Sequence, residues 1–314
     1  MAIDKTSKIY VAGHRGMVGS ALMRALQAKG YTNIVTRTRQ ELDLLYQEPV
    51  YRFLKDEKPE YIFIATAKVG GILANSTYKA DFIFQNLQIE ANLIHGAHLA
   101  GVQRLMFLGS SCIYPRDCPQ PIKEEYLLTG PLEPTNESYA VAKIAGIKLC
   151  EAYNFQHDRQ YASVMPTNLY GINDNYDLES SHVLPALIRK AHEAKTRGDS
   201  SLTIWGTGTP LREFLFSNDL ADACVFLMER NYFGPIINIG TGEEISIKAL
   251  AEKICAAVGF NGTLKFDTGK PDGTPRKVLH VEKIHDLGWR HSTPLEAGIK
   301  SAYADFINAE LTLS

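Results

Sequence analysis

The sequence predicts an α/β protein built on a doubly wound parallel sheet, and three observations point to this fold class. Short apolar segments alternate with longer amphipathic segments through the first half of the chain, as expected for buried strands joined by helices. A glycine-rich stretch at residues 13–19 separates the first apolar segment from the first amphipathic one. The 314 residues are 45% hydrophobic and 22% charged, which is typical of globular proteins.

The first half of the chain is predicted to form a Rossmann-type domain over residues 1–165. Its strands are expected at 8–12, 33–37, 61–65, 105–108 and 162–165. Its helices are expected at 17–29, at 81–100 and in a segment that ends at His157. The proline-rich stretch 115–134 is expected to be irregular.

The chain changes character after Pro166, where we predict a smaller α/β substrate-binding domain over residues 166–314. Residues 173–181 are polar and turn-rich. Helices are expected at 182–196, in a segment that ends near Glu229, and at 247–258 and 295–307. Strands are expected at 212–216 and 236–239, and segments between residues 212 and 239 are expected to return to the main sheet.

Charge and composition argue against several classes of function. The net charge of −2 does not favour nucleic acid or an anionic membrane as a partner. No apolar run approaches the roughly 20 residues of a membrane span, and the polar N-terminus has no signal-peptide pattern. Five cysteines without paired spacing argue against a disulfide framework or a metal site. We therefore expect a reduced, cytoplasmic protein without a metal.

The glycine-rich stretch has the form of a dinucleotide-binding loop. Gly13, Gly16 and Gly19 lie between a predicted strand and a predicted helix, which is the context that this motif requires. Glycines there permit a tight turn and the close approach of a pyrophosphate to the helix N-terminus. The alternative is an ordinary strand–helix turn. The other loop residues expected to contact a cofactor are His14, Arg15, Met17 and Val18.

Arginines near the second predicted strand favour NADP over NAD. NAD-binding proteins usually carry an acidic residue there to hold the ribose hydroxyls, whereas this strand ends with Arg37 and Arg39, and Arg15 lies in the loop. A guanidinium binds a 2′-phosphate through two hydrogen bonds, and a carboxylate repels it. We expect Arg39 to provide this contact; alternatively, these arginines are solvated surface charges.

Tyr139 and Lys143 indicate carbonyl reduction. Residues four apart lie on one face of a helix, and a nearby ammonium lowers the pKa of a phenol from its ordinary value of about 10. Ser110 follows the predicted strand 105–108, at the edge of a doubly wound sheet where ligands bind. Its hydroxyl and the phenol would donate to a ketone oxygen. The alternatives are an ordinary amphipathic helix pair and a turn serine.

Seven strings of residues resemble the extended short-chain dehydrogenase/reductase family over nearly the whole chain. The Tyr-x-x-x-Lys motif is common to the family, whereas Ser-Ser-Cys-Ile-Tyr-Pro at 110–115 and Pro-Thr-Asn-Leu-Tyr-Gly at 166–171 are far more specific. The closest resemblance is to the branch that acts on GDP-4-keto-6-deoxy-D-mannose as a 3,5-epimerase/4-reductase. The strings lie at 13–19, 67–71, 109–115, 133–137, 139–146, 165–171 and 270–276.

The resemblance implies two epimerisations flanking the ketone, then reduction with NADPH, in a homodimer. It assigns the epimerisation base to Cys112 and the acid to His182, whose ordinary pKa values of about 8.5 and 6.5 suit proton transfer near neutral pH. Asn86 is expected to support active-site water. The further cofactor contacts implied are Leu108, Gly109, Ser111, Lys143, Pro166, Thr167, Asn168, Leu169 and His182.

The resemblance also implies a substrate site formed by Trp205, Arg212, Asp272 and Lys190. Lys190 stands where the family has an arginine, so it keeps the charge but not the bidentate geometry. Two other functions stay open: a related nucleotide-sugar epimerase or dehydratase that recycles a bound NAD(P), and a non-catalytic NADP sensor. The intact Ser110 argues against the sensor, as do the tyrosine and lysine of the motif.

Overall fold

The computed structural model describes residues 3–270 and 272–313, and its strands and helices alternate as the apolar pattern requires. The strands are β1 (Ile9–Ala12), β2 (Ile34–Val35), β3 (Tyr61–Ile64), β4 (Arg104–Leu108), β5 (Gln160–Pro166), β6 (Asn168–Tyr170), β7 (Ser201–Trp205), β8 (Leu211–Arg212), β9 (Phe214–Phe216), β10 (Ile237–Ile239), β11 (Ile245–Ser246), β12 (Thr263–Asp267) and β13 (Arg276–Lys277). The helices are α1 (Met17–Ala28), α2 (Gln47–Glu57), α3 (Ile72–Thr77), α4 (Lys79–Leu99), α5 (Glu137–His157), α6 (Val183–Arg197), α7 (Ser217–Glu229), α8 (Ile247–Val258), α9 (Glu282–Asp286) and α10 (Leu295–Leu313). Short 3-10 turns lie at Ser111–Ile113 and Glu124–Tyr126.

Six strands form one parallel sheet in the order β10-β5-β4-β3-β1-β2. The chain builds outward from β1 to β2 and then crosses to the other side to add β3, β4 and β5. Such a reversal opens a crevice at the carboxyl ends of β1 and β3, where doubly wound sheets bind ligands. The predicted fold class is confirmed.

Helices cover the sheet, so its central strands are buried throughout. Every residue of β1 and β3 is buried, which explains why these segments are continuously apolar rather than alternating. Helix α1 packs against α7, and α4 packs between α2 and α5. The α4–α5 contact matters for function because these two helices carry the tyrosine–lysine motif and the residues facing it.

A second apolar core lies in the C-terminal half and is formed by helices α6, α8 and α10 with short strands. It contains Ile188, Leu250, Ile254 and Ile299, all fully buried, and β7 pairs with β12 beside it. Strand β10 belongs instead to the main sheet, and α7 packs on α1. No helix of the described residues is long and apolar enough to cross a membrane.

Several elements differ from those expected from the sequence. The strand expected at 212–216 is two strands, because β8 pairs with β11 and β13 while β9 pairs with β6. Helix α2 was not predicted; it contains Pro49 in its first turn, where the missing N–H has no helical partner to lose. Strands β7 and β12 were not predicted either. They pair with each other in a separate two-stranded sheet.

Candidate active site

The loop between β1 and α1 is as tight as its glycines suggest. Gly13 has a φ of +87°, and a Cβ there would lie 2.8 Å from the Ala65 carbonyl oxygen. A Cβ at Gly19 would lie only 2.0 Å from the Gly13 carbonyl oxygen. The Gly16 N–H donates to that same oxygen over 3.0 Å. The first turn of α1 therefore packs directly on the loop, which places the helix N-terminus at the crevice.

A cavity of about 470 Å³ opens beside this loop, at the carboxyl ends of β1, β2 and β3. It contains the predicted contacts Gly13, His14, Arg15, Gly16 and Arg39, whereas Met17, Val18 and Gly19 begin α1. Sequence reasoning missed other residues of the cavity wall. Most of them follow β2 and β3 and could have been found from those strand ends, and two lie on α4. The missed residues are Thr38, Gln40, Asp43, Thr66, Ala67, Lys68, Gln85 and Ile89.

The two arginines after β2 have different environments. The Arg37 guanidinium pairs with Glu57 at 2.6 Å and lies over the Phe53 ring at 4.9 Å. The Arg39 side chain is 74% exposed and has a single ion-pair contact, with Asp43 at 3.3 Å. Both arginines line the cavity, but Arg37 also fastens the segment after β2 to α2, whereas the more exposed Arg39 has more freedom to meet a ligand there.

Ser110 connects three of the predicted catalytic side chains. It follows β4 by two residues, and its Oγ accepts a hydrogen bond from the Cys112 backbone N–H over 3.3 Å as the cap of a 3-10 turn. Its hydroxyl is also near enough to the Tyr139 phenol and the Cys112 thiol to lower the pKa of each. The strand end and the first turns of α5 therefore bring a hydroxyl, a phenol and a thiol to one place.

Burial dominates the acidity of this group. It raises the pKa of Tyr139 well above the ordinary value, and the nearby Cys112 and Glu90 raise it further, while Ser110 lowers it. Burial also raises the pKa of Cys112, and Lys277, Ser110 and Lys143 oppose that effect. The phenol is consequently a proton donor in this state.

Lys143 is buried beneath the phenol and is tied to a residue that the sequence did not reveal. Its Nζ lies 3.0 Å from Glu90 Oε1, with both side chains 2% exposed, and it donates to the Leu108 carbonyl oxygen over 3.0 Å. It lies 5.8 Å from the centre of the Tyr139 ring. The ammonium expected to act on the phenol and on the cofactor therefore also pairs with a carboxylate.

Glu90 and Asn86 form a polar stripe on the buried face of α4. Both are at most 2% exposed, and polar residues four apart on a core-facing stripe are a signal that sequence reasoning could have used. The Asn86 carboxamide accepts from the Lys68 N–H over 2.8 Å and donates to the Lys68 and Phe82 carbonyls. Asn86 therefore fixes the loop after β3, and its expected support of active-site water stays a prediction.

His182 and Cys112 share one charged neighbour, Lys277. His182 immediately precedes α6. Loss of solvation lowers the pKa of its imidazole, and the Lys277 ammonium lowers it further to a smaller extent. The same ammonium acts on Cys112 and on Arg212. Lys277 was missed in the sequence, although it directly follows the string 270–276.

The predicted substrate residues belong to the C-terminal half of the chain and contact lysines and a turn there. Trp205 is 55% exposed, with the Lys190 and Lys270 ammonium groups 4.9 Å and 5.3 Å from its ring centre. Arg212 donates to the Leu211 carbonyl over 2.8 Å. Asp272 accepts hydrogen bonds from the Thr207 N–H and hydroxyl, so it stabilises the turn after β7. Aromatic and cationic groups thus surround one surface.

The segment after β5 is held by β10 and by Glu213, which lies between β8 and β9. Thr167 N–H donates to the Ile239 carbonyl over 3.0 Å, and Asn168 Nδ2 donates to the Glu213 carbonyl over 2.8 Å. Pro166, Thr167, Asn168 and Leu169 therefore lie at the carboxyl end of β5, one strand from Leu108, Gly109, Ser110 and Ser111. These residues therefore lie at the same carboxyl-terminal edge of the sheet as the glycine loop.

A cavity of about 470 Å³ at a reversal of strand order and a Ser–Tyr–Lys group at the carboxyl end of a neighbouring strand of the same sheet are together suited to hydride and proton transfer on a carbonyl compound. The sequence profile of the NAD dependent epimerase/dehydratase family matches residues 9–240. The chain belongs to this family.

Several relatives of the chain are named GDP-L-fucose synthase or synthetase. The chain is 57% identical over 301 residues to a putative GDP-L-fucose synthase 2 of Arabidopsis thaliana, covering 96% of this chain and 92% of the relative. It is 52% identical over 309 residues to the GDP-L-fucose synthase of Escherichia coli K12, covering 96% of each. A crystal structure of a GDP-L-fucose synthetase from Naegleria fowleri bound to NADP superposes with a TM-score of 0.91, at 29% identity over 99% of this chain and 97% of that one.

Proposed function

We propose that this protein converts GDP-4-keto-6-deoxy-D-mannose to GDP-L-fucose with NADPH, by two epimerisations flanking the ketone and a final reduction. The observation that carries the proposal is the position of the Ser110 hydroxyl, which lies near enough to both the Tyr139 phenol and the Cys112 thiol to lower the pKa of each. A reductase needs the first contact, and only an enzyme that also moves protons on carbon needs the second. The near full-length similarity to GDP-L-fucose synthases supports the same reaction.

The cofactor is NADP(H), and the residues of the cavity fit it. The space against Gly13 and Gly19 that a Cβ would fill lets a pyrophosphate approach the N-terminus of α1. The exposed Arg39 guanidinium is suited to the 2′-phosphate, and Lys143 to the nicotinamide ribose. When bound, NADPH supplies the hydride.

The side chains around the ketone oxygen serve all three steps. Protons on the carbons beside a ketone are acidic because their removal leaves an enolate, whose charge the Ser110 and Tyr139 donors stabilise. We assign the base to Cys112, with Lys277 favouring its thiolate, and the acid on the opposite face to His182. In the reduction, Tyr139 gives its proton to the ketone oxygen.

We also propose that residues 166–314 mainly bind the substrate. Its diphosphate requires cations, which Arg212 and Lys190 provide, and the exposed Trp205 ring offers a face for stacking. Lys190, unlike an arginine, would act as a point charge. Asp272 would contribute through the turn that it holds next to Trp205.

We expect the protein to act in the cytoplasm as a homodimer. The exposed faces of α4 and α5 suit the dimer interface. They present apolar side chains outward, including Phe155 at 95% exposure, Phe84, Leu99 and Val141, and apolar patches of this kind mark interfaces. Sedimentation at micromolar concentration should give a dimer, and substituting Phe155 and Phe84 with serine should give a monomer. A wild-type monomer at that concentration would reject this part of the proposal.

The decisive assay incubates the purified protein with GDP-4-keto-6-deoxy-D-mannose and NADPH. We expect NADPH to be oxidised in stoichiometric proportion to GDP-L-fucose. Turnover without net oxidation would instead identify an epimerase or dehydratase that recycles its cofactor. Binding of NADPH without any turnover would identify a sensor.

A further inference from the structure

Glu90 lies in the middle of α4, on the side that packs against α5. Phe82 and Asn86 precede it at four-residue spacing on the same buried face. The facing helix makes room for the carboxylate at Gly146: a Cβ there would lie 2.8 Å from Glu90 Oε2 and 2.5 Å from the Phe107 ring. The sequence thus supplies both a buried acid and the space that holds it.

Stability does not account for this acid. Removing two charges from water carries a penalty of roughly several kcal/mol per ion, and apolar residues of similar size often stabilise a protein as well or better. The cation that Glu90 holds at 3.0 Å is Lys143, one turn from Tyr139 on α5. A buried pair that includes a residue of the proposed reaction is more readily explained by that reaction.

We propose that Glu90 is a positioning residue for the reduction: its carboxylate holds the Lys143 ammonium in place and keeps Tyr139 protonated until the ketone is bound. This inference rests on the proposed function and deepens it. Glu90 touches neither substrate nor cofactor in this scheme and acts through Lys143.

The ionisable groups around the pair are few and lie on three elements. Lys143, Tyr139 and Cys150 face Glu90 from α5, and Cys112 faces Tyr139 from the turn after β4. Burial is the main cause that raises the pKa of Tyr139, and the negative charge of Glu90 acts in the same direction. With its counter-ion beside it, Lys143 does not draw the proton off the phenol prematurely.

The reduction needs the phenol to arrive protonated. Its O–H bond breaks as the new O–H bond forms on the ketone oxygen, while the ketone carbon is reduced by the two electrons of the hydride. The product is an alcohol, and the phenolate left on Tyr139 takes a proton from solvent before the next turnover. A phenol that ionised early would leave the alkoxide without a donor.

Glu90→Gln tests this role because it keeps the shape of the side chain and removes its charge. The pH dependence of NADPH oxidation should have an alkaline limb where Tyr139 ionises, and the variant should move that limb to lower pH by about 0.5–1 unit. Glu90→Asp, which keeps the charge further from Lys143, should give a smaller shift in the same direction. An unchanged limb in Glu90→Gln, or an equal shift in both variants, would overturn the proposal.

A second measurement needs neither substrate nor cofactor. Ultraviolet titration of the wild type against Tyr139→Phe isolates the phenolate of Tyr139, and the same pair in the Glu90→Gln background should show it at lower pH. Identical difference curves in the two backgrounds contradict the role of Glu90. If the wild type does not oxidise NADPH, the proposed function fails, yet this titration still decides the inference. If Glu90→Gln does not fold, the alkaline limb and the ultraviolet titration of the Glu90→Asp variant decide the inference instead.

Discussion

At the scale of single residues, neighbours from distant segments decide what a cysteine can do. Cys112 and Cys224 are both buried, and burial raises the pKa of each thiol. At Cys112 the ammonium groups of Lys277 and Lys143 oppose this effect. At Cys224 the Asp222 carboxylate adds to it. The charged neighbours therefore favour the thiolate at Cys112 against the effect of burial, whereas at Cys224 the neighbouring charge disfavours it further.

Cys112→Ser should stop epimerisation without affecting cofactor binding. A hydroxyl is a far weaker base than a thiol, so incorporation of solvent deuterium into the sugar should fall by at least about 100-fold. NADPH should bind with unchanged affinity, because the cofactor cavity does not include Cys112. Cys118→Ser, on the partly buried cysteine nearby, is the matched control and should exchange deuterium normally. Wild-type exchange in Cys112→Ser would refute the assignment.

Arg39→Ala should weaken NADPH much more than NADH. Loss of a guanidinium contact to the 2′-phosphate should raise the dissociation constant of NADPH by roughly 10–100-fold, since a charge-assisted hydrogen bond contributes about 1.5–3 kcal/mol. Arg37→Gln is the control, because Arg37 is committed to Glu57 and its loss should affect both cofactors alike. Titration of cofactor fluorescence measures both constants. Equal losses for NADPH and NADH in Arg39→Ala would exclude this role.

At the scale of elements, one buried glutamate explains why the strand expected at 212–216 breaks. The Glu213 carboxylate accepts from the N–H groups of Thr241, Gly242 and Leu279 at 2.6–2.8 Å. This ties the turn after β10 to the segment after β13. Residues on either side of Glu213 then join different sheets, which leaves Arg212 on the substrate side. Apolar periodicity cannot show such a break, because it depends on residues far along the chain.

Gly19→Ala should damage the junction between the glycine loop and α1. The new methyl would lie 2.0 Å from the Gly13 carbonyl oxygen, so the helix must move away from the loop, and overpacking of this kind costs about 1–3 kcal/mol. Thermal unfolding should begin several degrees lower, and NADPH should bind more weakly. Gly16→Ala is the control for stability, since its methyl would meet only an ordinary 3.5 Å contact. Equal melting temperatures for the two variants would contradict this view of the loop.

At the scale of the whole molecule, the sequence revealed what is local and missed what is paired over long distances. Strands β1 and β3 could be predicted from continuous apolarity, and the glycine loop and Tyr139 with Lys143 from spacing within a few residues. The roles of Glu90 and Lys277 could not, because they come from contacts with Lys143 and Cys112 on other elements, although the polar stripe on α4 marks Glu90 itself as unusual. Asn173 is a third case: its side chain donates to Ser20 on α1, and its backbone N–H donates to Asp305 on α10.

The loop that contains Asn173 therefore joins the two cores, and its neighbour Asp174 makes that junction sensitive to pH. Burial raises the pKa of Asp174 to about 7, so the folded protein holds this proton more tightly than the unfolded chain. Stability should then fall as pH rises from about 4 to 7, and Asp174→Asn should remove this loss. The difference in melting temperature between this variant and the wild type should grow as the pH rises from about 4 to 7 and stay constant above pH 7.

Asp177→Asn is the control of opposite sign. Hydrogen bonds from Ser180 lower the pKa of Asp177, so loss of this carboxylate should destabilise the protein near neutral pH. A pH-independent difference between Asp174→Asn and the wild type would show that the carboxyl does not titrate in this junction.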